Sequence, residues 1–220
     1  MRRAAVAILS GLIVLLAVAQ LALPPAAEDR VRDELEENGE VAKVDVDAFP
    51  AIKLLWGSVD SVEVEMGSYR SNRGRLGELL DRAGSIDDID ATAREVRISR
   101  LRVTDGRLTK RGEVIEVEGL VTEEALRSVL PPGMDVRPVA SENGELVLEG
   151  SVRFLGFGAA MRARVRPRAG AIVVQPEGIP LVGRFATVTV FKEPGLEVVA
   201  VGARSGPGGF TLTAEARLLE

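Results

Sequence analysis

The side chains of this 220-residue chain that could do chemistry are carboxylates, arginines, hydroxyls and four lysines, because the sequence contains no histidine and no cysteine. Without histidine there is no imidazole base for a nucleophilic serine or cysteine, and without cysteine there is no thiolate, disulfide or zinc-cysteine site. The residues that remain indicate no catalytic residue, no metal site and no cofactor. We therefore expect a binding protein and not an enzyme.

Carboxylates are the remaining groups that could form a catalytic pair or a cation site. The candidate set includes Asp81, Asp87, Asp88 and Asp90. It lacks the glycine and the terminal glutamate of an EF-hand loop. We expect neither a metal site nor a catalytic pair here.

Three arginines at alternate positions, Arg162, Arg164 and Arg166, would lie on one face of a strand. Because guanidinium groups hold phosphate through paired hydrogen bonds, this arginine row is a candidate site for phospholipid headgroups. The alternative is a solvated outer face whose arginines pair with Glu145 and Glu149 of the preceding strand.

Two apolar stretches are candidate contacts for a lipid chain. The first joins two predicted strands and contains Phe49, Pro50, Leu54, Leu55 and the sole tryptophan, Trp56. Connections normally run over the surface, so an apolar one could form the wall or mouth of a ligand site, or a surface that dips into lipid headgroups. The alternative is an ordinary buried connection.

The second stretch places Phe154 and Phe157 among glycines and alanines in a region of predicted strands. Glycine in a strand often marks a bend or a bulge. A curved sheet that holds a long apolar ligand needs such kinks, but so does the corner of an empty barrel or sandwich.

The N-terminal segment is uncharged from Ala4 to Leu23 and follows Arg2 and Arg3. Its length suits one crossing of a bilayer core of about 30 Å, and the flanking charges predict a cytoplasmic N-terminus with the body outside. The alternative is a signal peptide cleaved before Gln20, after a small-x-small pattern. Both interpretations export the rest of the chain, to the outer face of the membrane or into the medium.

The remaining chain reads as a few helices among many strands. Helical spacing predicts a charged helix over 28–38 that stops at Gly39, a second over 75–83, and a third over 123–130 capped by Thr122. Period-two stretches predict strands from residue 43 onward, including one over 95–103. Turn signals between them include Asp105-Gly106, Asn143-Gly144 and Ala169-Gly170.

This order predicts an α+β fold, in which a curved antiparallel β-sheet is wrapped on a few helices. We divide the chain into a membrane anchor or signal peptide (1–23), a short linker with a charged helix (24–40) and one domain (41–220). The formal net charge of −5 argues against nucleic acid as a partner, since such binding neutralises phosphates.

The chain resembles the LmeA-like phospholipid-binding family of exported actinobacterial proteins. The resemblance is carried by the apolar start, the charged helix, a strand ending in Phe49-Pro50, an apolar stretch reaching Gly57, and the final strands around 195–199 and 210–214. It implies non-enzymatic binding of phospholipid outside the cytoplasmic membrane, in support of cell-envelope assembly. The chain departs from the family pattern between Pro180 and Leu196, where a strand-like stretch replaces a more helical one.

These observations together predict a protein that binds, and could carry, a phospholipid or related amphiphile in an apolar cleft at the membrane. The runner-up is a membrane-anchored structural or interaction domain of the cell envelope without a bound lipid. A hydrolase of wall polymers would need two facing carboxylates, for which the sequence offers no evidence. The residues do not indicate a protein partner.

Overall fold

The computed structural model describes residues 23–49, 51–71, 82–98, 100–130, 134–154, 157–177, 187–206 and 208–219. The predicted membrane or signal segment, most of the predicted helix over 75–83, and Pro50 lie outside these ranges. Within them, no helix is both long enough and apolar enough to cross a membrane.

Strands make up most of the described chain. Helix α1 covers residues 23–36 of the described chain, a 3-10 helix covers Ala51–Trp56, and helix α2 covers Glu123–Val129. The twelve strands are β1 Gly39–Asp47, β2 Val59–Ser71, β3 Ile86–Ile98, β4 Leu101–Arg111, β5 Val114–Thr122, β6 Met134–Glu142, β7 Glu145–Phe154, β8 Phe157–Arg168, β9 Ala171–Glu177, β10 Val188–Phe191, β11 Leu196–Gly206 and β12 Gly209–Leu218.

Two open sheets replace the single curved sheet that the sequence predicted. The first has seven strands in the order β1-β2-β3-β4-β5-β12-β11, and the second has five in the order β10-β9-β8-β7-β6. All pairs are antiparallel except β2 and β3, which run parallel. The prediction of a mostly β chain with few helices is confirmed, whereas the expectation of one antiparallel sheet was wrong.

The second sheet is attached to the first at the edge strand β11. Val201 donates its N–H to the carbonyl of Gly144 at 2.9 Å, and Val198 donates to Gly170 at 3.4 Å. These glycines lie in the β6–β7 and β8–β9 turns, where Asn143-Gly144 and Ala169-Gly170 adopt the positive φ that tight hairpins require. Two turns of the second sheet therefore lie along the edge strand β11.

Helix α2 begins as the sequence predicted. The hydroxyl of Thr122 accepts a hydrogen bond from the N–H of Ala125 at 3.1 Å, which satisfies one free donor of the first turn. The helix packs near β4, β5 and β6, and therefore lies between the two sheets at the end where β5 finishes.

Three local predictions were wrong because they were made without the pairing partners. Gly39 is the first residue of β1 and not a helix stop, and a Cβ there would lie 1.9 Å from the carbonyl oxygen of Ser68. Asp105-Gly106 forms a bulge inside β4 and not a turn. The predicted strand over 95–103 is divided between β3 and β4, and β3 extends back over the acidic stretch to Ile86.

Candidate functional site

One face of the seven-stranded sheet carries an apolar row that crosses every strand. Side chains of directly paired residues point to the same face, so the row follows from consecutive pairs in the register. Its members are Val44, Val64, Ala91, Leu108, Val117, Ala214 and Val201. We call this the apolar row; it defines the inner face of the first sheet.

The apolar row is covered at its two ends by different elements. Around β1 and β2, the α1 residues Ala27, Val31 and Leu35 pack against a buried valine cluster. Around β11 and β12, the second sheet packs through Leu146 and Val165. The two layers therefore lie on the same face of the first sheet, at opposite edges.

The middle of the apolar row is the more exposed part. Val64 near one end is 6% exposed and Val201 at the other end is 8% exposed, whereas Val117 on β5 is 39% exposed. A single exposed valine is ordinary on a protein surface, but this one lies within a row of apolar residues and between two covering layers. The inner face over β4 and β5 is therefore the candidate site.

The residues beside Val117 on the inner face are small. Ala93 pairs with Gly106 in the next row, and Ala91 and Ala214 flank Leu108 and Val117 within the apolar row. Because these side chains are small, this part of the inner face is lower than α1 and the second sheet on either side of it. An extended hydrocarbon chain would find a shallow trough there.

Lys110 is a buried charged residue on the same inner face. It is 2% exposed, and its cross-strand partners are Ile89 and Ile115. Its ammonium group donates to the backbone carbonyls of Ile86 and Asp87. Burial lowers the pKa of Lys110, an effect that the carboxylates of Asp87 and Asp88 partly offset.

The predicted arginine row lies on the opposite face of the second sheet from the contact with β11, and its side chains are paired. Arg162 lies 2.9 Å from Glu149, and Arg164 lies 2.8 Å from Glu177 and 3.2 Å from Glu145. Hydrogen bonds from Arg162 and from Arg137 lower the pKa of Glu149.

This pairing is the solvated outer face that the sequence offered as the alternative. The Nε atom of Arg166 is buried without a hydrogen-bond partner, although its terminal amino group donates to Gln175 at 2.8 Å. The headgroup role of Arg162, Arg164 and Arg166 stays a prediction.

The predicted apolar stretch at Phe49 divides into a buried and an exposed part. Leu54 packs against the valine cluster of β1 and β2, whereas the side chain of Phe49 is 76% exposed. The N–H of Phe49 donates to the carboxylate of Asp60 at 2.6 Å, and Lys53 donates to the same carboxylate at 2.8 Å. The hydrogen bond from Lys53 is the main cause of the lowered pKa of Asp60.

The other predicted lipid contacts are placed only by their backbone. Leu55 and Trp56 belong to the 3-10 helix that follows Phe49, and Phe154 pairs with Phe157 at the tip of the β7–β8 hairpin. The two stretches therefore belong to different sheets. Their role in lipid contact stays a prediction.

The sequence interpretation missed Leu108, Lys110 and Val117. A signal was present, because Ile115, Val117 and Gly119 alternate with glutamates in a predicted strand. That alternation indicates an inner face, but it does not say which part of the face its neighbours cover.

A concavity of about 530 Å³ lies beside the β6–β7 turn. Its lining combines polar residues of the outer face, among them Arg107, Glu116, Glu118 and Glu215, with Val117, Ala214 and Val201 of the apolar row. Among the described residues, no group of three or more acidic side chains is arranged to hold a metal ion.

An apolar strip on an open sheet, bordered by a helix and a second sheet, is a surface that suits an elongated apolar ligand. The chain belongs to the LmeA-like phospholipid-binding family, whose family model matches residues 14–215. This membership supports phospholipid as the ligand. Searches of the curated proteins and of the solved structures gave no match.

Proposed function

We propose that the protein binds the acyl chains of a phospholipid on the inner face over β4 and β5, between α1 and the second sheet. The observation that carries this proposal is the exposure of Val117 in the middle of an apolar row whose ends are buried. Family membership supplies the ligand class.

Burial of acyl methylenes can supply enough free energy for lipid to bind at such a site. Each methylene moved from water to an apolar surface contributes about 0.8 kcal/mol, so roughly ten methylenes leave several kcal/mol after the cost of ordering the chain. The headgroup would remain near water, where the arginine row offers one candidate partner. Binding of this kind needs no catalytic residue, and the protein acts as a carrier or holder of lipid and not as an enzyme.

The proposed location is the outer face of the cytoplasmic membrane, or the medium if the N-terminal segment is cleaved. The support is the uncharged stretch after Arg2 and Arg3. A lipid-binding domain exported to that location would assist cell-envelope assembly by shielding acyl chains from water.

The alternative function is a membrane-anchored interaction domain that holds no lipid. The concavity beside the β6–β7 turn favours it, because the charged residues in its lining could dock an envelope protein or polymer. The two functions differ in whether the folded protein retains lipid.

The test is native mass spectrometry of the detergent-free protein, followed by extraction of bound lipid. We expect wild-type protein to carry phospholipid and Val117→Asn to lose most of it, since an amide would lie where methylenes pack. Val139→Asn is the matched control, because Val139 on β6 is similarly exposed at 43% but lies outside the apolar row. Lipid-free wild-type protein, or equal loading of both variants, would contradict the proposal.

A further inference from the structure

Phe49 is the most exposed large apolar residue among the side chains that the structure describes, and it sits on a well-fixed connection. Asp60 accepts hydrogen bonds from the Phe49 N–H and from Lys53, while Leu54 anchors the 3-10 helix in the core. The pairing of Lys53 with Asp60 also neutralises both charges beside the ring. The ring is thus held out in water beside a paired lysine and aspartate.

The topology places Phe49 at the end of the molecule where α1 begins. The turn at 37–38 reverses the chain, and α1 packs on β1 and β2, so β1 runs back along the helix. The described part of α1 is about 20 Å long and β1 is about 30 Å long, so the chain has returned past residue 23 when it reaches Phe49. The uncharged stretch that precedes residue 23 joins the molecule at this same end.

Other exposed apolar residues lie at this end as well. Leu219 is 54% exposed and follows β12, which finishes at the end where β1 finishes. Val188 and Val190 on β10 are 57% and 54% exposed. Strand β10 is the edge of the second sheet nearest this end, since the β8–β9 turn contacts β11 closer to its start than the β6–β7 turn does.

We propose that Phe49, Val188, Val190 and Leu219 form a membrane-docking end that rests in the interface of a phospholipid bilayer, an inference that rests on the proposed function for its choice of partner. Apolar side chains of this kind gain free energy by entering the headgroup and acyl boundary. The docking end would hold the lipid site at a fixed distance from the membrane from which lipid is taken.

The test uses the full chain in vesicles of phosphatidylglycerol and phosphatidylcholine whose acyl chains carry bromine. In a Trp56→Phe background, a single tryptophan is placed at the docking end by Phe49→Trp. The control is Ile98→Trp, because Ile98 is 44% exposed but ends β3 at the opposite end of the sheet. We expect several-fold stronger quenching by bromine at position 49 than at position 98.

Leu219→Trp provides a second probe at the docking end if Phe49→Trp folds poorly by circular dichroism. Equal quenching at both ends, or no association of the chain with the vesicles, would overturn the docking end. Each measurement is repeated with Val117→Asn, which is expected to empty the lipid site. If quenching at position 49 disappears in the Val117→Asn variant, position 49 contacts bound lipid and not the bilayer. That result would also overturn the docking end. Failure of the proposed function is seen separately, as unchanged lipid loading in Val117→Asn.

Discussion

At the scale of single residues, Lys110 is unusual because its ammonium group is buried on an otherwise apolar face. Its donors reach the carbonyls of Ile86 and Asp87, which are neutral acceptors and compensate only part of the lost hydration. Burial therefore lowers its pKa from the ordinary value of 10.5. The charged form is disfavoured in the folded protein relative to the unfolded chain.

This shift predicts that stability rises with pH in the alkaline range. As the pH passes the lowered pKa and approaches 10.5, the folded protein releases the proton before the unfolded chain does, so the free energy of unfolding increases. Lys110→Met should lack this rise, and Lys192→Met, at an exposed position, should retain it. Urea unfolding across that range measures the difference; identical pH profiles for wild type and Lys110→Met would contradict the assignment.

At the scale of elements, strands β7, β8 and β9 are joined on their outer face by alternating charges. Arg164 on β8 bridges Glu145 on β7 and Glu177 on β9, and Arg162 meets Glu149. Exposed pairs of this kind contribute little to stability individually. The three arginines of the row meet the three carboxylates of Glu145, Glu149 and Glu177, so an anionic headgroup would have to compete with these pairs.

The headgroup role of the ladder is tested with Arg164→Glu. If headgroups meet this row, the variant should lose affinity for anionic lipids more than for zwitterionic lipids, because the change reverses a charge at the contact. Arg204→Glu is the control, since Arg204 is exposed on β11 and lies outside the row. Partitioning into anionic and zwitterionic lipids is compared at equal folded fraction, judged by circular dichroism. If both variants lose affinity for anionic lipids to the same extent, the arginine row is not a headgroup site.

At the scale of the whole molecule, the described chain places two layers on one face of a seven-stranded sheet and leaves the other face polar. The start of α1, where the uncharged N-terminal stretch joins, lies at the docking end. Ala27 of α1 packs into the valine cluster, so the helix belongs to the folded domain and not only to a linker.

The N-terminal stretch predicts that full-length protein stays with membranes after carbonate washing. A truncated chain that begins at Leu23 keeps α1 and should be soluble in the same wash. The comparison is made by immunoblotting of the membrane and soluble fractions. Mature protein that begins at Gln20 and is free in the medium would show that the segment is a signal peptide.

Composition and a few adjacent residues were enough to predict the features that depend on them alone. The absence of histidine and cysteine restricted the chemistry, the soft motifs around Phe49 and Gly57 led to the correct family, and Thr122 and Asn143-Gly144 marked a helix start and a turn correctly. These signals work because capping, tight turns and strand alternation are decided by side chains within a few positions of one another.

The pairing of the strands and the coverage of the apolar surface could be seen only in the folded chain. The sequence of Asp105-Gly106 predicts a turn. In the structure it forms a bulge, because β4 continues through it between β3 and β5. Gly39 reads as a helix stop, and its lack of a side chain is needed because Ser68 lies against it across β1 and β2. In the sequence, Val117 alternates with glutamates as a buried strand residue would. It is exposed because α1 and the second sheet cover the two edges of the first sheet, while α2 lies at the end where β5 finishes. Pairing and coverage join residues far apart in the chain, so no local pattern contains them.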